Sequence, residues 1–190
     1  MDEINKAWLN GELNFYFKYK RKVIENMIIG KCLNVGCGGH LIKNAVNIDE
    51  NAENLPYEDN SFDTVILSDV IEHINDWMKA LNEALRVSNN KIIITVPAYM
   101  WLWSDYDKEL GHYRRYVKKD FDEYLKRYNN INYKVKYLFG ALIPFIWVRK
   151  FTSGETPNFP KIIDNLFYRL SHLRFPFGST ILLEIKKNGY

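Results

Sequence analysis

Apolar positions follow two periods along this chain. Over residues 14–28, NFYFKYKRKVIENMI, Phe17, Val23, Ile24, Met27 and Ile28 recur at helical spacing, and Gly30 stops the run. Four short segments are apolar in a different way. They are Lys31–Val35, Ala45–Ile48, Phe62–Ser68 and Lys91–Val96. The last two are almost wholly apolar at their centres, as strands buried on both faces are. Ile74–Val87 has Trp77, Ala80, Leu81, Ala84 and Leu85 along one helical face. Lys118–Tyr128 reads as another helix, and Ile131–Leu138 and Ser179–Lys186 as two last strands. Strands alternating with helices predict a parallel sheet of βαβ units. Such sheets bind ligands beyond the carboxyl ends of their strands. The chemistry is therefore expected after Val35, Ile48, Leu67 and Val96.

Composition narrows this little. The 190 residues suit one domain, and 47% hydrophobic with 26% charged residues excludes a disordered chain. Two cysteines, Cys32 and Cys37, form neither a disulfide scaffold nor a zinc pattern. The N-terminal residues carry no signal-peptide pattern. No apolar stretch reaches the roughly 18–20 residues of a membrane span. A cytoplasmic protein is the expectation. Charge divides the chain unevenly. Residues 31–100 hold five Lys/Arg against ten Asp/Glu, whereas residues 101–190 hold sixteen against nine. That asymmetry fits a cationic ligand in the first half and an anionic or membrane-associated one in the second.

The strand ending at Val35 runs into Gly36-Cys37-Gly38-Gly39, where missing Cβ atoms let the backbone approach a ligand. A dinucleotide fingerprint would need a third glycine where Leu41 stands, which argues against NAD. Asp49 ends the second strand, where an acid can accept both ribose hydroxyls of an adenosine ligand or simply cap a turn. The segment LPYEDNSFD leads into the third strand and VIEHI follows it.

With GCG, NID, LPYEDNSFD and VIEHI in this order, the sequence resembles the type 11 branch of the class I S-adenosylmethionine-dependent methyltransferases, over roughly residues 14–130. The resemblance implies a Rossmann-like α/β sheet with helices on both faces. It implies that Gly36, Cys37 and Gly38 lie against the methionine part of S-adenosylmethionine and that Asp49 holds the ribose. Ala52, Glu53, Asn54 and Leu55 wall the adenine, and Ser68, Asp69 and Val70 close the floor. Two departures stand out. Asn34 replaces an acid usual in the family, and only thirteen residues separate Asp49 from Asp63, so one βα unit is expected to be missing.

The segment VPAYMWLWSDYDKELGHYRRY looks like a subset of the same family associated with sugar or isoprenoid-lipid assembly. In that light His112, Arg114 and Arg115 become candidates for catalysis. Imidazole can take a hydroxyl proton, and guanidinium groups can clamp a carboxylate or phosphate. The Asp…Asp-Asn set of metal-dependent catechol-type enzymes is not apparent, so no metal is expected. Nor is a nucleic-acid partner, because no base-reading module is recognisable. Residues 14–139 should form the cofactor core, 140–178 a small acceptor cap, and 179–187 a last strand. Pro144 is expected to interrupt the apolar run at 141–148, and residues 140–151 could touch a membrane surface. The expected activity is O-methylation of a small or lipid-linked acceptor. The alternative is a catalytically silent binding protein of the same fold.

Overall fold

A computed structural model describes residues 14–149 and 160–188. Residues 150–159 of the expected cap lie outside the described residues, as do residues 1–13. Six strands form one sheet: β1 (Cys32–Val35), β2 (Ala45–Ile48), β3 (Phe62–Ser68), β4 (Ser88–Pro97), β5 (Ile131–Leu138) and β6 (Thr180–Lys187). Their order is β2-β1-β3-β4-β6-β5. The first four run parallel, whereas β6 is antiparallel to both β4 and β5.

Period-two alternation assigns the sheet's side chains to two apolar layers. Val65, Leu67, Ile92, Ile94, Leu183 and Ile185 point into one core, and Ile66, Ile93 and Leu182 into the other. The first core is covered by α2 (Trp77–Val87), whose buried Trp77, Ala80, Leu81, Ala84 and Leu85 form its stripe. The second is covered by α1 (Phe15–Glu25), through Phe15 and Ile24. Central β4 is buried along most of its length, while edge strand β5 alternates buried or half-buried with exposed residues.

The helix expected from Ile74 begins at Trp77, since Ile74 has an extended backbone with φ −109° and ψ 127° after a 3-10 turn at Ile71–His73. Between β2 and β3 there is neither helix nor strand, as the short spacing predicts. Arg86 on α2 supplies what that segment lacks in regular hydrogen bonding. Its guanidinium donates to the carbonyls of Tyr57 at 2.7 Å and Leu55 at 3.0 Å, and to Asp59 Oδ1 at 2.9 Å. Glu83 orients it and accepts the Leu55 N–H at 2.9 Å.

Two short helices follow β4: α3 (Asp105–Glu109) and α4 (Lys118–Leu125). After β5 come α5 (Ile143–Arg149) and α6 (Lys161–Leu170). Pro144 does not break a helix here. It is the second residue of α5, in the first turn, where a missing N–H costs nothing. Among the described residues no helix is long and apolar enough to cross a membrane.

Candidate active site

The carboxyl ends of β1 to β4 open into one large cavity of about 1040 Å³, capped by α1 and α5. Each strand delivers its own residues to it. After β1, Gly36 and Gly38 take φ of 61° and 47°. A Cβ on Gly36 would come within 2.9 Å of Val70 Cγ2, so only glycine permits this approach. The Cys37 N–H donates to Ile48 O at 3.1 Å, which ties the turn to the end of β2. Asn34 is buried, and its Nδ2 donates to His40 O at 2.9 Å and Asn47 Oδ1 at 2.8 Å. An ionised acid could donate neither bond, which gives this departure from the family a structural reason.

Asp49 follows β2 and presents an exposed side chain on the cavity. Ala52, Ser68, Asp69 and Val70 also line it. Glu53, Asn54 and Leu55 do not. Leu55 is packed in the first core. Asp69 has φ of 55° and accepts the Thr95 hydroxyl at 3.0 Å. It also forms an ion pair with Lys20 of α1. The Lys20 ammonium lies over the Tyr16 and Phe17 rings at 4.9 and 5.3 Å.

His40, on the cavity wall, stacks against Phe17 at 4.9 Å. Burial, helped by the Lys20 charge, pushes its imidazole down to about 4. The folded chain therefore keeps His40 neutral where the unfolded chain, near pKa 6.5, becomes protonated. This contribution to stability is complete above about pH 6.5 and is lost as pH falls toward 4. Allowing for partial solvent access, the loss should reach about 1–2 kcal/mol at pH 5. Urea unfolding at pH 7.5 and 5 checks this. His40→Phe should lose less stability than the parent between the two pH values.

After β4 the chain makes a closed loop. The Tyr99 N–H bonds Tyr116 O at 2.9 Å, and the Tyr116 N–H bonds Pro97 O at 2.9 Å. Part of its aromatic content is packing. Tyr116 is buried beside Trp77 and Phe121 and donates its hydroxyl to Ile71 O at 3.0 Å. The centre of the loop is Asp107 on α3, fully buried. Arg115 Nε and Nη2 donate to its two oxygens at 2.8 and 2.9 Å. The Ser104 N–H donates to it at 2.9 Å, and His112 Nδ1 lies 2.9 Å from Oδ1. Burial alone would raise the Asp107 carboxyl. Hydrogen bonds from His112 and Arg115 outweigh it and hold the group down to about 2. An ionised carboxylate only accepts, so His112 carries a proton on Nδ1, and Nε2 is the nitrogen that gains or loses the second one.

Of the three catalytic candidates, His112 and Arg115 line the cavity. Arg115 is committed to Asp107. Arg114 lies outside the cavity and donates to Asn75 O at 2.8 Å. Asp107, Glu72 and His73 sit inside motifs read from the sequence but received no role there. Glu72 and His73 stand four and five residues beyond the carboxyl end of buried β3, which is the signal the sequence offers for them. Glu72 is 1% exposed, and its Oε2 has no hydrogen-bond partner among the described residues. Burial pushes its carboxyl up to about 8, against the opposing pull of its own backbone N–H and Lys20.

Residues 38–94 match a family model described as a methyltransferase domain. An uncharacterized protein of Methanocaldococcus jannaschii is 49% identical over 41 residues, which are 22% of this chain and 18% of that protein. Among solved structures, an S-adenosylmethionine-dependent methyltransferase of Thermotoga maritima is similar with a TM-score of 0.59 at 15% identity. The alignment covers 96% of this chain and 93% of that one. The plantazolicin methyltransferase BpumL, solved with a desmethyl-plantazolicin analog and S-adenosylhomocysteine, aligns at TM-score 0.54 and 13% identity over 98% and 90% of the two chains. The match over residues 38–94 is to a methyltransferase domain, and the fold is shared with solved structures of S-adenosylmethionine-dependent methyltransferases.

Proposed function

From a methyltransferase domain over residues 38–94 and a class I fold around it, we propose that this protein transfers a methyl group from S-adenosylmethionine to an oxygen of a small or lipid-linked acceptor. The observation that carries this reading is one shared cavity. It joins the bare-backbone turn at Gly36–Gly38 and the exposed Asp49 to the His112–Asp107 pair.

The residues fit the cofactor. A Cβ at Gly38 would meet nothing nearer than 4.0 Å, so the turn offers open backbone to a ligand. Asp49 has a free approach for two ribose hydroxyls, and Ala52 adds an apolar wall. The Asp69 carboxylate already holds one cation, the Lys20 ammonium, and the half of the chain around it is acidic. When bound, S-adenosylmethionine supplies an electrophilic methyl group on a cationic sulfonium. The chain's own residues then position and deprotonate. His112 Nε2 accepts the acceptor's hydroxyl proton, and Asp107 stabilises the imidazolium that forms. Arg115 holds Asp107 in place and acts as a positioning residue. The exposed apolar residues of α5, Trp147 at 48% and Val148 at 58%, suit a lipid-linked acceptor delivered at a membrane surface.

Asp49→Ala should weaken S-adenosylmethionine binding by about 10–100-fold, since a charge-assisted hydrogen bond contributes about 1.5–3 kcal/mol. The melting temperature should not move, because the side chain is exposed. Calorimetry and thermal unfolding check both parts. The function itself is tested by incubating the protein with cell extract and methyl-labelled S-adenosylmethionine. Mass spectrometry should find the label on an oxygen of one metabolite or lipid. S-adenosylmethionine binding without any labelled product would favour the silent binding protein instead.

A further inference from the structure

Glu72, His73 and His112 each bring a donor atom to within 4.8 Å of the other two, on the cavity wall. Their surroundings are built for more than packing. Glu72 is buried, with Oε2 lacking a partner among the described residues, which is costly for a carboxyl unless something else binds it. The His112 imidazole has one nitrogen already committed, since Nδ1 lies 2.9 Å from Asp107 Oδ1. The two rings meet edge to face with centroids 4.6 Å apart. An imidazole anchored through one nitrogen by a carboxylate, with the other nitrogen turned to a ligand, is a usual arrangement of metal-binding histidines.

We propose that Glu72, His73 and His112 bind a divalent transition-metal cation, the carboxylate and two imidazoles occupying one side of it. Two nitrogens and a carboxylate oxygen suit Zn²⁺, Mn²⁺ or Fe²⁺ and leave positions open for further oxygen ligands. Ligand atoms about 2.1 Å from a tetrahedral ion lie about 3.4 Å apart, so closure needs movement of about 1 Å. Exposed His73 has room to supply it.

The site rests on this geometry alone. Its use deepens the methyltransferase reading and rests on it. An acceptor oxygen in an open position has its hydroxyl acidified by the cation, and the proton leaves to water. His112 Nε2 is then a ligand, and the cation replaces imidazole as the activating group.

The test is calorimetric titration of Zn²⁺ and of Mn²⁺ into chelator-stripped protein, without S-adenosylmethionine. One saturable site per chain is expected. His73→Ala and Glu72→Gln should each weaken it at least about tenfold. Thermal unfolding confirms that both variants are folded; His73 is exposed, and glutamine preserves the volume of Glu72. Co²⁺-loaded protein should show visible absorption bands that both variants alter. Absence of saturation up to millimolar metal, or binding that neither substitution changes, overturns the site. Labelled methyl transfer is scored separately. Transfer that continues undiminished in chelator overturns the cation's part in it, whereas cation binding without transfer upholds the site and sinks the methyltransferase reading.

Discussion

His112→Ala should cut methyl transfer by about 10²–10⁴-fold while leaving S-adenosylmethionine affinity unchanged. The argument is positional. His112 stands on the loop after β4 and is fixed through Nδ1 by a carboxylate that is itself buried, so Nε2 is the group presented to the cavity. The cofactor elements lie on other segments, after β1 and β2. Removing the imidazole takes away the acceptor's proton sink and leaves the glycine turn and Asp49 intact. Turnover with labelled cofactor and binding by calorimetry read the two effects apart. Equal loss of both would make His112 a structural residue. The metal titration separates the two uses of the same Nε2, since a base has no need of Glu72 and His73 and a ligand does.

Asp107→Ala should be the most damaging single substitution for the fold and should also abolish turnover. Asp107 receives donors from Arg115, His112 and Ser104 while fully removed from water. Deleting it removes both carboxylate acceptors of the Arg115 guanidinium, whose side chain is only 12% exposed, and leaves it the Ala98 carbonyl at 3.3 Å. Breaking one side of such a buried pair costs about 3–5 kcal/mol. In a chain of this size that lowers the melting temperature by about 6–20 °C. Asp107→Asn keeps the volume and should fall less far. It should still lose turnover, because an amide no longer dictates which His112 nitrogen carries the proton. Thermal unfolding and the labelled-methyl assay on both variants check these outcomes. A small change in Tm for Asp107→Ala would show that the loop does not depend on this centre.

The sheet was legible because its strands are short apolar runs with sharp ends. Phe62–Ser68 was predicted with the bounds it has, and so was Ile131–Leu138. The absent βα unit was also legible, since thirteen residues cannot hold a helix and a strand with their turns. Other features depend on long-range partners and leave no periodic trace. Nothing near Arg86 in the sequence announces that it will bind the Leu55 and Tyr57 carbonyls some thirty residues earlier. Asp107 sits in a run of polar and aromatic residues with no amphipathic pattern, so neither α3 nor the burial of its carboxylate could be read. Pro144 shows the opposite error, because proline signals a break only where a helix has already begun.

The candidate site divides the same way. Gly36, Gly38 and Asp49 were readable because they follow strand ends, whereas Asp69 and His112 became candidates through the family resemblance; all five line the one cavity. Arg114 and Arg115 are adjacent and chemically equivalent in sequence. Only the fold distinguishes them, by turning Arg115 onto Asp107 and Arg114 toward Asn75.

The most direct measurement is a calorimetric titration of the intact chain with S-adenosylmethionine. One site per chain with a micromolar-range Kd is the predicted result. Absence of binding up to millimolar S-adenosylmethionine would contradict the account.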